Sequence, residues 1–197
     1  MSDIGETELE YEPVEKSAPA DRDEVGPLDD SEAPVRPYID LGGLKVVPRE
    51  GMQMRLEVEE RSKRVVAVTL IVGNSTVQLQ PFAAPRSEGI WHSVRAVLQA
   101  QLQKQGAEVE EVDGAVGPEL RAAIPAGDAG KRQVRILGID GPRWMLQAMI
   151  AGKAAGSELD YETMVDVLRA TVVVRGQQPM PPRDLIPLKA PAAKGRG

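Results

Sequence analysis

Hydrophobic and polar residues alternate along much of the middle of the chain, and this period of two predicts β-strands. Residues 54–59 alternate between apolar and charged side chains, so one face of this strand is expected to be packed and the other wet. Residues 64–72 form a nearly continuous apolar, largely β-branched run, which is typical of a central strand covered on both faces. Gly73-Asn74 then predicts a tight hairpin turn into the alternating residues 77–82.

Two segments change to the 3.6-residue period of an amphipathic helix. The first runs from Ser87 to Gln105 and is followed by Gly106, a residue type that favours helix ends. The second is centred on residues 161–168. Four strands are predicted between the two helices, and the last two of these are expected to join through a type I′ turn at Asp140-Gly141.

The predicted order is three strands, a helix, four strands, a helix and a closing strand over residues 171–174. Hairpin-linked neighbours indicate a mainly antiparallel sheet, and each helix has one apolar stripe that must be buried against it. The predicted fold class is therefore α+β, a sandwich of a mainly antiparallel sheet and two covering helices. The continuous apolar run over residues 65–72 favours helices on opposite faces of the sheet.

Charge divides the chain into parts. The first forty residues carry thirteen acidic side chains against three basic ones, and the remainder carries seventeen acidic against twenty-one basic. We expect residues 1–39 to form an acidic disordered arm, because they have too little apolar area to offset the entropy of ordering. Residues 40–176 are expected to form the sandwich domain, and residues 177–197 a Pro-rich basic extension. The extension is expected to dock on the domain through its apolar side chains Leu185, Ile186 and Leu188.

Composition excludes several kinds of site. The chain has no cysteine, which excludes disulfides, thiolate catalysis, cysteine-ligated zinc and iron–sulfur clusters. No run reaches the roughly 18 apolar residues of a membrane-spanning helix, and no secretory signal is recognisable, so we expect a cytoplasmic protein without membrane contact. The net charge of -6 argues against a general nucleic-acid binder, because phosphate contacts need an excess of Lys and Arg.

The residue types of catalytic sites are scarce. The single histidine, His92, has no sequence neighbour suited to acid–base work with it. Glu59-Glu60 and Glu110-Glu111 fall at predicted strands, where adjacent side chains point to opposite faces and cannot act as a pair. Gly42-Gly43 lacks the lysine and the spacing of a phosphate-binding loop. We therefore assign no catalytic residue, metal or cofactor, and the sequence weighs against an enzyme.

Basic residues recur in the consecutive strands before and after the predicted Asp140-Gly141 turn. Antiparallel pairing would bring several of them onto one face or edge of the sheet, as a surface that binds an anionic partner. The alternative is that these are ordinary surface charges, which prevent the edge strands from pairing with other chains. Trp144 is expected in the core, and would mark a partner-binding hot spot if it were exposed. The candidate binding residues are Arg121, Lys131, Arg132, Arg135, Arg143 and Trp144.

Five short segments of the chain carry a likeness to a known family, at residues 46–48, 80–86, 140–144, 172–176 and 181–184. Through them the chain resembles an uncharacterised actinobacterial family of conserved hypothetical proteins, over roughly residues 41–188. This resemblance implies no catalytic residues. More distantly, the order of elements resembles the α/β/α sandwich of the PsbP extrinsic photosystem protein and its bacterial relatives, which implies binding and assembly roles rather than chemistry.

The sequence as a whole favours a non-enzymatic cytoplasmic protein-binding or adaptor protein. One alternative is an enzyme or ligand-binding domain whose site is assembled only in three dimensions. Another is a nucleic-acid-associated protein that uses the arginine-rich hairpin. The acidic arm is expected to contact that hairpin within the same chain, in competition with an anionic partner.

Overall fold

The computed structural model describes residues 12–192, which form two β-sheets and three α-helices. The elements in chain order are α1 (Arg22–Val25), β1 (Leu28–Asp29), β2 (Ile39–Asp40), β3 (Leu44–Val46), β4 (Met52–Val58), β5 (Val65–Val72), β6 (Ser75–Ala83), α2 (Trp91–Lys104), β7 (Glu108–Gly114), β8 (Gly117–Pro125), β9 (Lys131–Gly141), β10 (Trp144–Gly152), α3 (Glu158–Arg169) and β11 (Val172–Val173). None of the helices in this part of the chain is long and apolar enough to cross a membrane.

Strands β4 to β10 form a seven-stranded antiparallel sheet in the order β4-β5-β6-β10-β9-β8-β7. Neighbours in sequence pair as hairpins, while β6 pairs with β10 and joins the two halves at the centre. The predicted fold class, the mainly antiparallel sheet and the order of strands and long helices are confirmed. The turn at Gly73-Asn74 is confirmed as well, because Val72 pairs with Ser75 on either side of it.

The two long helices cover opposite faces of this sheet, as the apolar run in β5 favoured. On one face, Met164 of α3 packs in a core with Leu137 and Ile139 of β9. On the other face, Trp91 of α2 packs in a second core with Ile136. Successive residues of a strand point to opposite faces, so β9 supplies side chains to both cores.

A small second sheet, in the order β1-β11-β3-β2, closes the α3 side of the molecule. Strand β1 pairs in parallel with β11, with Leu28 opposite Val172. Leu44 and Val173 lie in the same core as α3 and are fully buried. The closing strand predicted over residues 171–174 therefore completes this small sheet and does not extend the large one.

Residues 12–39 differ from the predicted disordered arm, because they lie against the domain and contribute two strands. The Ser17 backbone N–H donates to the Asp140 carboxylate over 2.8 Å, and the Lys16 ammonium donates to the Gly141 carbonyl over 3.0 Å. The Trp144 indole donates to the Asp29 carboxylate over 2.8 Å. Polar and backbone bonds supply what the segment's low apolar content cannot. Residues 1–11 of the predicted arm lie outside the described residues.

The prediction of a type I′ turn at Asp140-Gly141 is wrong. Gly141 pairs with Trp144, so the two turn residues are Pro142 and Arg143. Proline cannot adopt a positive φ, whereas a proline followed by a residue at positive φ, here Arg143 at 62°, is the pattern of a type II turn. Gly141 has a packing role, since a Cβ there would overlap the Trp144 ring.

Asp140 is buried and acts as a remote cap for α2. Its carboxylate accepts the backbone N–H groups of Ile90 and Trp91 over 2.9 and 3.2 Å. These bonds satisfy two of the N–H groups that the start of a helix leaves unpaired. The helix therefore begins at Trp91, four residues after the Ser87 start that the sequence predicted.

The C-terminal extension docks on the domain, as predicted, through side chains that include Ile186 at 2% and Leu188 at 9% exposure. Its backbone fills a gap in the large sheet, because β5 and β6 pair only from Val68 onward. Within the gap the Ile186 N–H donates to the Pro81 carbonyl over 2.9 Å. A second contact, between Leu188 and Val65, reaches the start of β5.

Candidate anion-binding site

A surface pocket of about 270 Å³ lies where three segments of the chain meet. The β9–β10 turn contributes Pro142 and Arg143, and the residues after β11 contribute Arg175 and Gly176. The end of β1 contributes Asp29, and the residues that follow it contribute Asp30 and Ser31. We call this site the Arg143–Arg175 pocket.

The backbone fixes both arginines. Arg143 occupies the positive-φ position of the turn, and its carbonyl accepts the Ala84 N–H over 2.9 Å. Arg175 follows directly on Val174, whose N–H donates to the Gly43 carbonyl over 2.9 Å and extends the pairing of β11 with β3. Each arginine thus projects from a hydrogen-bonded segment, and the pocket between them is pre-formed rather than assembled from long loops.

The acidic residues of the pocket wall are already engaged. Asp29 accepts bonds from the Trp144 indole and from the Ser31 N–H, over 2.8 and 3.0 Å. Asp30 forms an ion pair of 2.8 Å with Lys45. Neither carboxylate pairs with Arg143 or Arg175.

The two arginines are left without an anionic partner among the described residues, as neither takes part in a salt bridge there. One Nη atom of Arg175 donates to the Gln178 carbonyl over 2.9 Å, but its Nε is buried without a hydrogen-bond partner. Burial lowers the pKa of Arg175, and the positive charge of Arg143 lowers it further. Two neighbouring cations with an unsatisfied donor form a site that an anion would stabilise.

Arg135, the most central of the predicted binding residues, is buried and fully engaged. Its guanidinium donates to both carboxylate oxygens of Glu119 over 2.7 and 2.9 Å, and Glu119 is completely buried. It also lies 3.3 Å above the ring of Tyr161, whose hydroxyl donates to Glu119 over 3.0 Å. Arg135 therefore belongs to a structural network and does not present its charge to a partner.

The remaining basic residues do not converge on one site. Arg121 is directly opposite Arg135 in the ladder and lies 3.7 Å from Glu119. Lys131 pairs with Glu108 at the exposed start of β9.

Arg132 is exposed and pairs in register with Ile124, on the α2 face. Arg143 follows the other end of β9, roughly 30 Å away by the rise per residue of a strand.

Trp144 lies in the core, as expected, and is fully buried. It still shapes the pocket, because its indole fixes Asp29 and its backbone follows Arg143 in the turn. Sequence reasoning missed Arg175, since it searched for basic residues on consecutive strands. The signal that could have found it is the likeness to a known family, because two of the segments that carry it, residues 140–144 and 172–176, meet at this pocket.

The single histidine, His92, lies outside the Arg143–Arg175 pocket. His92 is exposed on α2, where one ring nitrogen lies 3.4 Å from Arg95. Arg95 forms an ion pair with Glu111 of β7. Across residues 12–192, no three His, Cys, Asp or Glu side chains are arranged to hold a metal ion.

Comparison with known proteins gives a family and a distant structural likeness. A family model described as "Protein of unknown function (DUF3710)" matches residues 26–196, which confirms the predicted resemblance to an uncharacterised family. No curated protein matches the chain. Among solved structures, the solution structure of cyanobacterial PsbP (CyanoP) from Synechocystis sp. PCC 6803 is similar, at 15% identity and a TM-score of 0.41, over 67% of this chain and 87% of that chain. The match over residues 26–196 shows that the chain belongs to the family of proteins of unknown function DUF3710.

Proposed function

We propose that this chain is a non-enzymatic cytoplasmic protein-binding module, and that it holds a carboxylate or phosphate group of a partner protein in the Arg143–Arg175 pocket. The observation that carries the proposal is the pair of neighbouring arginines without an anionic partner in residues 12–192, one of them with a buried, unsatisfied Nε. Guanidinium groups bind carboxylate and phosphate oxygens through directed, charge-assisted hydrogen bonds.

The size and position of the pocket favour a group on a protein over a free metabolite. Small-molecule sites typically enclose about 300–1,000 Å³ and bury most of the ligand. This pocket measures about 270 Å³, and its wall residues Asp30, Ser31 and Gly176 are exposed. An acidic side chain fits within it, and the rest of the partner would lie on the surrounding surface.

The chemistry of the wall weighs against catalysis at this pocket. Its titratable side chains are Asp29, Asp30, Arg143 and Arg175. Both carboxylates already accept hydrogen bonds from protein groups, so neither is placed to take a proton from a substrate. The pocket presents two arginines, whereas the closely spaced phosphates of a nucleic-acid backbone need an excess of Lys and Arg along one face.

The test compares variants that remove each guanidinium. Arg143→Gly suits the positive φ of the turn, and Arg175→Gln keeps a side-chain donor for the Gln178 carbonyl. Acetate and inorganic phosphate are titrated into the labelled protein, and binding is followed by the backbone amide NMR signals of Ser31 and Gly176, which line the pocket and are kept in every variant. We expect a saturable shift in the wild type and affinity about tenfold or more weaker in each variant, since one charge-assisted bond contributes about 1.5–3 kcal/mol.

Arg132→Gln is the matched control, because it removes an exposed charge from the opposite end of β9. It is expected to leave both titrations unchanged. Affinity purification from the native cells then tests for a protein partner: the same proteins should be retained by wild type and Arg132→Gln and lost by the two pocket variants. Equal losses in all three variants, or no saturable shift in the wild type, would contradict the proposal.

A further inference from the structure

The seven-stranded sheet has two open edges, and they differ in how they are protected. An exposed strand edge can pair with another chain, and proteins commonly block this with charge. The charged side chains of the edge strand β7 are all acidic, at Glu108, Glu110, Glu111 and Asp113, so two copies of it repel each other. The edge strands of the small sheet, β1 and β2, are each two residues long and too short to pair stably with a strand of another chain. The remaining edge is β4.

Strand β4 is seven residues long, and no other strand of the part of the chain that the structure describes pairs with its outer side. The backbone hydrogen bonds of β4 within residues 12–192 run to β5 and to Arg49 at the strand start. Its register with β5 changes between Glu57 and Val58, where β5 holds the extra residue, Val66. The bulge therefore bends β5, and β4 itself keeps its regular alternation.

The two faces of β4 have different chemistry. Arg55 and Glu57 lie on one face, with side chains 63% and 34% exposed, and they pair with each other along the strand over 2.9 Å. Met54 and Leu56 lie on the other face and are half-buried, and Val58 follows them at 52% exposure. The strand thus presents one cation and one anion on the first face and a partly exposed apolar row on the second.

We propose that β4 pairs with β4 of a second copy of this chain, antiparallel and centred on Leu56. A two-fold axis at Leu56 places this residue opposite itself, Arg55 opposite Glu57 of the other copy, and Met54 opposite Val58 of the other copy. Directly opposite side chains on one face of an antiparallel pair are close enough to interact. The pairing therefore creates two ion pairs on one face, covers Val58 on the other, and joins the two large sheets into one.

The neighbouring registers are less favourable. A two-fold axis at Arg55 or at Glu57 would place that charge opposite itself, and like charges directly opposite are destabilising. An axis at Met54 would pair Arg55 with Gln53 and leave Glu57 without a cation. Leu56 is the centre at which both charged residues of the strand meet opposite charges, so the sequence of β4 selects one register.

The test exchanges the charges of Arg55 and Glu57. Sedimentation equilibrium should show a reversible dimer for the wild type, and about tenfold or more weaker association for Arg55→Glu and for Glu57→Arg, because each variant places like charges opposite each other twice. The double variant Arg55→Glu, Glu57→Arg restores both ion pairs in the opposite order and should dimerise like the wild type. Circular dichroism checks that each variant is folded.

Mixing the two single variants gives the sharpest result. Arg55→Glu has two acidic residues on this face and Glu57→Arg has two basic ones, so a mixed pair regains both attractions while each variant alone remains mainly monomeric. A mixture that stays monomeric, or a wild type that shows no association, would overturn the proposal. Equally strong dimerisation of the wild type and both single variants would also overturn it, because the dimer would then form through another surface. None of these outcomes depends on the Arg143–Arg175 pocket.

Discussion

At the scale of single residues, the strongest constraint is the buried contact among Glu119, Arg135 and Tyr161. The Arg135 guanidinium and the Tyr161 hydroxyl both donate to one carboxylate that has no exposure to solvent. Burial raises the pKa of Tyr161 to about 12, with the negative charge of Glu119 as the next cause. Removal of one member of such a network leaves a buried charge without its partner, so the three residues are expected to act as a unit.

The raised pKa of Tyr161 predicts how this network responds to alkali. A group whose pKa is raised by folding stabilises the protein fully below its unfolded value, near 10, and loses that contribution as the pH rises to about 12. The absorbance of ionised tyrosine is measured for wild type and Tyr161→Phe, and the difference between the two curves should have its midpoint at about 12. In urea the midpoint should return to about 10. A midpoint near 10 in the folded protein would contradict the burial of this hydroxyl.

Sequence patterns identified the basic residues of this region but not their roles. Arg135 has the spacing of an exposed charge on a strand, and its partner Glu119 comes from the neighbouring strand β8. The register of β8 and β9 decides that these two side chains meet, and no short-range pattern fixes that register. For the same reason Arg143 and Arg175 are thirty-two positions apart in the sequence and neighbours only in the fold.

At the scale of elements, the C-terminal extension completes the large sheet instead of lying on its surface. It occupies the gap between the start of β5 and the end of β6, with backbone bonds to Pro81 and Ala83. The apolar side chain of Ile186 enters the core between the two sheets. The extension therefore contributes to the stability of the domain as a strand would, although it contains too many prolines to form a regular one.

Truncation of Ile186 tests this contribution. Ile186→Ala removes a side chain that is 2% exposed, and deletion of a buried aliphatic group typically costs about 2–5 kcal/mol in the free energy of unfolding. Leu159→Ala is the control, because Leu159 is 76% exposed and its loss is expected to change stability by less than about 0.5 kcal/mol. Urea denaturation measures both. Equal and small effects would show that the extension is not part of the cooperative unit.

The regular elements were predictable because hydrophobic period is a local property. Residues 54–58, 65–72 and 161–168 all have the predicted type of structure. The docked extension was also anticipated from its three apolar residues. The short strands β1 and β2 were not predictable, since two residues carry no period and their pairing partners lie far along the chain.

At the scale of the whole molecule, the N-terminal region holds the two sheets together. Strand β1 pairs with β11 of the small sheet, and Asp29 at its end accepts the Trp144 indole from the large sheet. Ser17 exchanges two hydrogen bonds with Asp140, one through the carboxylate and one through the backbone. The acidic composition of residues 12–39 suggested disorder, but hydrogen bonds and ion pairs order this segment. Composition alone does not show which of these bonds form.

Deletion of residues 1–29 tests this coupling. The deletion removes β1 and the acceptor for the Trp144 indole, so the melting temperature should fall by about 6 °C or more, and tryptophan emission should shift to the red as Trp144 gains contact with water. Deletion of residues 1–11 is the control, because every hydrogen bond and ion pair described above is retained. If both deletions leave the melting temperature and the emission unchanged, the N-terminal region does not couple the sheets.

The parallel pairing of β1 with β11 also has a consequence for biosynthesis. Leu28 of β1 precedes its partner Val172 by 144 positions, so β1 is synthesised well before β11 leaves the ribosome. Until then β1 has no partner strand. The high negative charge of the N-terminal region keeps it soluble and prevents it from associating with other nascent chains. Strand β1 is thus synthesised before its partner and is among the last elements to reach its final position.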